Sequence, residues 1–513
     1  AMDNSVVAGN DKDPITNFSR QTKDFQYNYF GAKDQSGFAM AFGGKRGQTI
    51  ASNYMNIKFS NAADGSNVNL VNENSRTGTN KGIAGILVNT NDADDIVNNY
   101  GKISEHTSSV TNLRAYGAVV NKGIFRNYGD IKLNDSLMPT QNKDIKDEDM
   151  KKANVGIIAN TYDKDKGTGG INTTIENYAD ITIGDDANSA TNTGSWAIYG
   201  YNVITGPKSD GTELTYKINR NSYGIYSGDG NVDIRKGTVI KVGNDTVLGH
   251  EIYTGKLSDG TDFAITRQPG GATSIAKGTA AVAAAVASNG YAKKEDLLSG
   301  LSEQRERDSS IGVYIDSNKD LSNGNRSVTV NADMDIDRYS YGIVLAKKDG
   351  GATTTVKLGD KQNNIAPKIV IASNKSAGGE VHSTAPTSPK IPQEVDEQGN
   401  AVYYYSADDQ SKATTNAEVT MNGDYNTAYF TRGQVINDGT IDLRSQNDLK
   451  AQALDPTHTA IGYGNLGIVS ANTDEKWASI NRGTITTGLS DTINMQYSAA
   501  MAAGRNIYKT DPS

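Results

Sequence analysis

Ile124-Phe125-Arg126-Asn127-Tyr128-Gly129-Asp130-Ile131-Lys132-Leu133 decides the fold, because versions of it return along the chain. It reads as a strand, a kink and a second short strand, with apolar residues alternating on either side. Val97-Asn98-Asn99-Tyr100-Gly101-Lys102-Ile103 is one copy. Ile175-Glu176-Asn177-Tyr178-Ala179-Asp180-Ile181-Thr182-Ile183 is another, with Ala179 in the glycine place. Variants follow at Ile234-Arg235-Lys236-Gly237-Thr238-Val239, at Val435-Ile436-Asn437-Asp438-Gly439-Thr440-Ile441 and at Ile480-Asn481-Arg482-Gly483-Thr484-Ile485. Glycine at the kink is expected to permit a tight turn that a Cβ resists. The alternating apolar residues point to one side of each strand.

A second phrase alternates with the first: an aromatic or small residue, then Gly-Ile or Gly-Val. It runs through Tyr116-Gly117-Ala118-Val119, Val155-Gly156-Ile157-Ile158, Trp196-Ala197-Ile198-Tyr199 and Tyr223-Gly224-Ile225-Tyr226. It resumes at Ile311-Gly312-Val313-Tyr314, Tyr341-Gly342-Ile343-Val344 and Leu466-Gly467-Ile468-Val469. Two short strand phrases in alternation, at irregular spacing, describe constant rungs separated by loops of different length. The fold predicted is all-β: a right-handed parallel β-helix carrying loop, β-hairpin and helical-hairpin insertions.

The chain has 513 residues, which length alone would divide among several globular domains. A solenoid escapes that limit, because each coil buries its apolar side against its neighbours. Net charge is −8 with both signs interspersed, so there is no electrostatic footprint for nucleic acid and no basic patch for anionic lipid. No stretch approaches the ~20 apolar residues of a membrane-spanning helix, and no signal peptide stands at the start. With no cysteine, disulfide and thiol chemistry are excluded. The segment is expected to be monomeric and not to insert into a membrane itself.

Residues 1–35 read as an N-terminal lead-in or cap over the first exposed strand edge, and 36–510 as the β-helix. Insertions are expected at about 134–153, 204–216, 251–265, 273–307 and 379–410. Those at 204–216 and 251–265 read as hairpin arms turning at Asp210-Gly211 and Asp259-Gly260. The stretch 273–307 reads as helical: Ala280 to Ala287 favours helix, and Leu297, Leu298 and Leu301 share one face ahead of Arg305. It serves either as a decorative insert or as a docking element. In 379–410, Tyr403-Tyr404-Tyr405 would place at least one ring toward solvent, where tyrosine is a favoured recognition anchor; packing of the arm onto the β-helix is the other reading.

No catalytic, cofactor or metal residues are assigned. His106, His250, His382 and His458 lack zinc-ligand spacing, and neither a nucleophile elbow nor a phosphate-binding loop is present. Asp163 with Asp165, and Asp333 with Asp335 and Asp337, have converging spacings, but neither set completes a calcium loop.

The repeat at 127–133, 177–184, 196–199, 223–226 and 434–443 resembles the passenger domains of type V autotransporters, and most of all the very large surface adhesins of fusobacteria. The resemblance covers most of 80–490. It implies a β-helical rod on the bacterial cell surface, exported through and anchored by an outer-membrane barrel, that adheres to a host cell-surface protein or glycan or to a partner bacterium. No barrel pattern occurs in this sequence, which therefore reads as an excised passenger segment. No binding motif carries over residue by residue. Contact bets from the residues are Tyr403, Tyr404 and Tyr405 in the arm at 391–405, and Leu297, Leu301 and Arg305 in the helical insert. The alternatives are a carbohydrate-active β-helix enzyme using paired carboxylates and a stalk that binds nothing.

Overall fold

A computed structural model describes most of 83–133, 154–160, 169–184, 195–244 and 251–288, then most of 310–372 and 401–487, with short pieces at 7–8, 38–59 and 499–503. The chain forms two compact units, Ala1–Val239 with Val313–Ser327, and Ile240–Gly312 with Val328–Ser513.

In the first unit the chain visits three faces in fixed order and then returns to the first. Ile83–Asn89 lies on face one, Ile96–Asn99 on face two and Ile103–Glu105 on face three. The next circuit uses the two halves of Ala115–Asn127 and then Ile131–Leu133. Each strand pairs in parallel with its counterpart one circuit away, and the pairing continues through Val155–Ala159, Thr173–Asn177 and Ile181–Ile183. The second unit repeats the scheme: Tyr341–Leu345 pairs with Val402–Ser406, Thr354–Leu358 with Ser411–Thr415, and Lys368–Ala372 with Glu418–Asn422. This is a parallel β-helix.

Register builds the core. On face two Val97, Phe125, Ile175 and Val203 fall in one row; on face three Ile103, Ile131, Ile181 and Tyr216 do so. All eight are essentially inaccessible to solvent. Burying one such aliphatic side chain contributes roughly 1.5–3 kcal/mol, and the repeated phrase supplies one per face per circuit.

The glycines act differently from the expectation. Gly129 does not adopt positive φ; a Cβ there would stand 2.0 Å from the Gly101 carbonyl oxygen of the adjacent coil. The same holds on face one, where a Cβ on Gly117 would meet the Gly156 oxygen at 2.3 Å. Close approach of stacked backbones, and not the freedom to turn, selects glycine at these two places.

Insertions also differ in part. Asn202–Thr205 and Leu214–Asn219 are rungs of faces two and three, paired with neighbouring coils. Asp210-Gly211 is thus a corner turn, closed by Lys208 N–H to the Thr212 carbonyl at 2.9 Å, and 204–216 is not an arm. The hairpin at Asp259-Gly260 does form, between Glu251–Lys256 and Asp262–Arg267. Thr273–Lys277, read as helical, instead adds a third antiparallel strand to it. The helix Thr279–Ser288 follows, and Thr279 Oγ1 donates to Asp262 at 2.6 Å. The segments 134–153, 289–309 and 373–400 lie outside the described residues, as does 1–35 apart from Val7–Ala8, which pairs in parallel with Ser52 and Asn53.

Candidate functional site

The corner between faces two and three is where both units carry their distinctive chemistry. In the first unit the asparagine of each phrase turns inward. Asn53 Nδ2 donates to Asn99 Oδ1 at 2.7 Å, Asn99 to Asn127 at 2.8 Å and Asn127 to Asn177 at 2.8 Å. The second amide proton goes to a carbonyl two residues on, from Asn99 to Gly101 and from Asn127 to Gly129, each at 2.8 Å. All four asparagines are fully buried, so this ladder satisfies groups that would otherwise be costly to hide. Where the row changes to Thr205, Tyr216 takes over: its hydroxyl accepts from Asn177 at 2.8 Å and bonds Thr205 Oγ1 at 2.7 Å.

The tyrosine that follows each asparagine turns outward. Tyr54, Tyr100, Tyr128 and Tyr178 stack with centroids 4.7, 4.9 and 5.3 Å apart and nearly parallel planes. Tyr100 is 42% exposed. Because each ring covers the face of the next, the row presents edges and hydroxyls to solvent. Glu176 ties its end: its carboxylate accepts from Arg126 Nε at 2.8 Å and from the Tyr178 hydroxyl at 2.9 Å. Partial burial, together with that bond to Glu176, pushes the Tyr178 phenol up to about 12. Beside the row, Lys208 pairs with Asp180 at 2.8 Å.

In the second unit the same corner carries Asn416, Asp438 and Arg482, set by the register of Thr415, Asn437 and Asn481. The loop leaving Leu358 stands against them, enclosing a cleft of about 640 Å³ lined by Lys357, Lys361, Gln362 and these residues. Asp438 is nearly buried and accepts from Arg482 at 2.7 Å, with Lys361 at 3.5 Å.

The residues singled out from the sequence fare unevenly. Tyr403 and Tyr404 are fully buried and Tyr405 is partly buried, because Val402–Ser406 is a rung of face one and not part of an arm. Tyr403 and Tyr404 cannot offer a surface; Tyr405 stacks on Phe430 of the next coil at 4.9 Å. Leu297, Leu301 and Arg305 lie outside the described residues, as do all four histidines, Asp163, Asp165 and Asp337. Asp333 accepts the Lys368 N–H at 2.8 Å. Among the described residues no group of histidine and carboxylate side chains could hold a metal ion, and no helix is long and apolar enough to cross a membrane. The tyrosine row was present in the repeated Asn-Tyr-Gly phrase, but its strict alternation with a buried asparagine was the missed signal. The cleft has no linear motif, since its residues come from four successive coils.

No protein-family model matches the chain, and no significant match is found among curated proteins or solved structures.

Proposed function

We propose that this chain is a segment of a bacterial cell-surface adhesin of the autotransporter passenger class, presenting the corner of its coils to a host-cell protein or glycan or to a partner bacterium. The observation that carries the reading is the outward tyrosine row of Tyr54, Tyr100, Tyr128 and Tyr178, flanked by Arg126 and Glu176. Tyrosine combines apolar area with a hydrogen-bonding tip at low entropic cost, and a stacked row is ordered before any partner arrives. Its hydroxyls and ring edges suit a partner rich in hydroxyl and amide groups. The parallel coils supply a stiff support, because each strand is paired along its length. The test is saturable binding of the purified chain to host cells and to candidate partner bacteria by flow cytometry; binding to neither would leave the stalk reading in its place.

A further inference from the structure

The cleft of the second unit has an imbalance between acceptors and donors. Every residue lining it is polar or charged apart from one glycine. Its two carboxylates are already engaged. Asp360 Oδ1 accepts from the backbone N–H groups of Gln362 and Asn363 at 2.9 and 3.1 Å, and Oδ2 accepts from the Asn363 amide at 2.8 Å. The loop is closed again by the paired backbone bonds of Asp360 and Ile365, at 2.7 and 2.8 Å. Asp438 is spent on Arg482 and Lys361. The cations are not spent. The Lys357 side chain makes no ion pair or hydrogen bond among the described residues, its charge acting on Asp360 only through space, Arg482 uses only Nη2 among them, and Lys361 remains 65% exposed.

We propose that this cleft binds an acidic saccharide, with Lys357, Lys361 and Arg482 receiving its carboxylate or sulfate. A free oxyanion would fill little of about 640 Å³, which lies in the usual range for an organic ligand. Hydroxyl groups match the Gln362 amide, and the aliphatic stems of the lysines offer apolar area to the C–H faces of a sugar ring. Asp438 holds Arg482 in place, so the guanidinium meets the ligand with less ordering cost. The inference stands apart from the adhesin reading: saccharide binding needs only this cleft, and cell binding through the tyrosine row does not need it.

Calorimetric titration of the whole chain tests it, using sialyllactose, lactose sulfate and glucuronic acid against neutral lactose and inorganic phosphate. Binding of at least one acidic sugar, weakened about tenfold or more by Lys357→Met, is expected, in line with the loss of one charge-assisted hydrogen bond. Neutral lactose should show no heat of binding, and added salt should weaken the acidic sugar. Arg482→Gln should also weaken it; should that variant fail to fold, Lys357→Met alone decides, since the exposed Lys357 side chain makes no ion pair or hydrogen bond among the described residues. Phosphate binding as tightly as any sugar, acidic sugars binding no better than lactose, or Lys357→Met binding unchanged would each overturn the proposal.

Discussion

Asn99 donates from Nδ2 to Oδ1 of Asn127 over 2.8 Å, and Asn127 repeats the act toward Asn177 at the same distance. Each asparagine is therefore donor to one coil and acceptor from another, and no isosteric residue can do both. Asn127→Asp replaces the donating amide with an oxygen that faces the Asn177 oxygen and the Gly129 carbonyl. A buried, unpaired carboxylate is strongly disfavoured, so its folded pKa should rise above the unfolded value of ~3.9. Below that value the protonated acid restores one donor; as pH rises past it the penalty grows. The unfolding midpoint of Asn127→Asp should fall well below wild type at neutral pH and recover part of the gap in acid. Asn127→Ala should lose about 1–3 kcal/mol for the orphaned partner with no such pH dependence. Equal midpoints for wild type and Asn127→Asp at neutral pH would contradict the ladder.

Gly129→Ala and Gly117→Ala test the close approach of coils. A Cβ would stand 2.0 and 2.3 Å from a backbone oxygen, whereas at Gly211 no atom of the described residues lies within 4 Å and only a positive φ of 82° resists substitution. The first two should cost at least about 1–3 kcal/mol, the usual cost of overpacking, and Gly211→Ala about 1–2 kcal/mol from backbone strain alone. Urea midpoints compare the three. A ranking with Gly211→Ala as the most damaging would show that turn geometry, and not stacking, selects these glycines.

Tyr403 is fully buried and its hydroxyl has no hydrogen-bond partner among the described residues. Tyr403→Phe removes a polar group that gains nothing from burial, so stability should be unchanged or higher by up to about 1–3 kcal/mol, and cell binding should be unaffected. A loss of either, read by thermal unfolding and flow cytometry, would mean that the hydroxyl has a partner.

Alkaline titration follows from the tyrosines. Burial raises Tyr216, Tyr403, Tyr404 and Tyr429, and burial with the Glu176 bond raises Tyr178 from 10.0 to about 12. With folded values above the unfolded one, the folded chain holds protons that the unfolded chain gives up. Stability is then intact below about pH 10 and falls as pH climbs through the folded values. Tyrosinate absorbance and loss of β-type circular dichroism should therefore rise together above pH 10 for the buried set. Titration of every tyrosine near pH 10 without unfolding would contradict the burial.

The β-helix was legible in the sequence because its signal is repetition: each phrase fixes one inward apolar row, and Val97, Phe125 and Ile175 fall into register as the alternation requires. Loops carry no such redundancy. Asp210-Gly211 has the same turn chemistry as Asp259-Gly260, yet the first rounds a corner and the second joins antiparallel strands; the difference lies in which coils the flanking strands meet. The three consecutive tyrosines misled for a related reason. Nearby prolines suggested an inserted arm, while Tyr403 and Tyr404 belong to a rung of face one. The cleft was beyond reach, because Lys357, Asp438 and Arg482 are brought together only by stacking.

The central claim is that the tyrosine corner makes contact with a partner, and binding by a paired Tyr100→Ser, Tyr128→Ser variant tests it most directly. The two substitutions break the middle of the row, lose about 0.5–1.5 kcal/mol per stacked pair and leave the asparagine ladder beneath in place. Flow cytometry of labelled intact chain and variant on host cells and candidate partner bacteria, with circular dichroism confirming β structure in both, gives the answer. The account predicts saturable binding by the intact chain and a loss of tenfold or more, about 1.4 kcal/mol, in the variant. Unchanged binding by a folded variant would move the adhesive surface away from this corner.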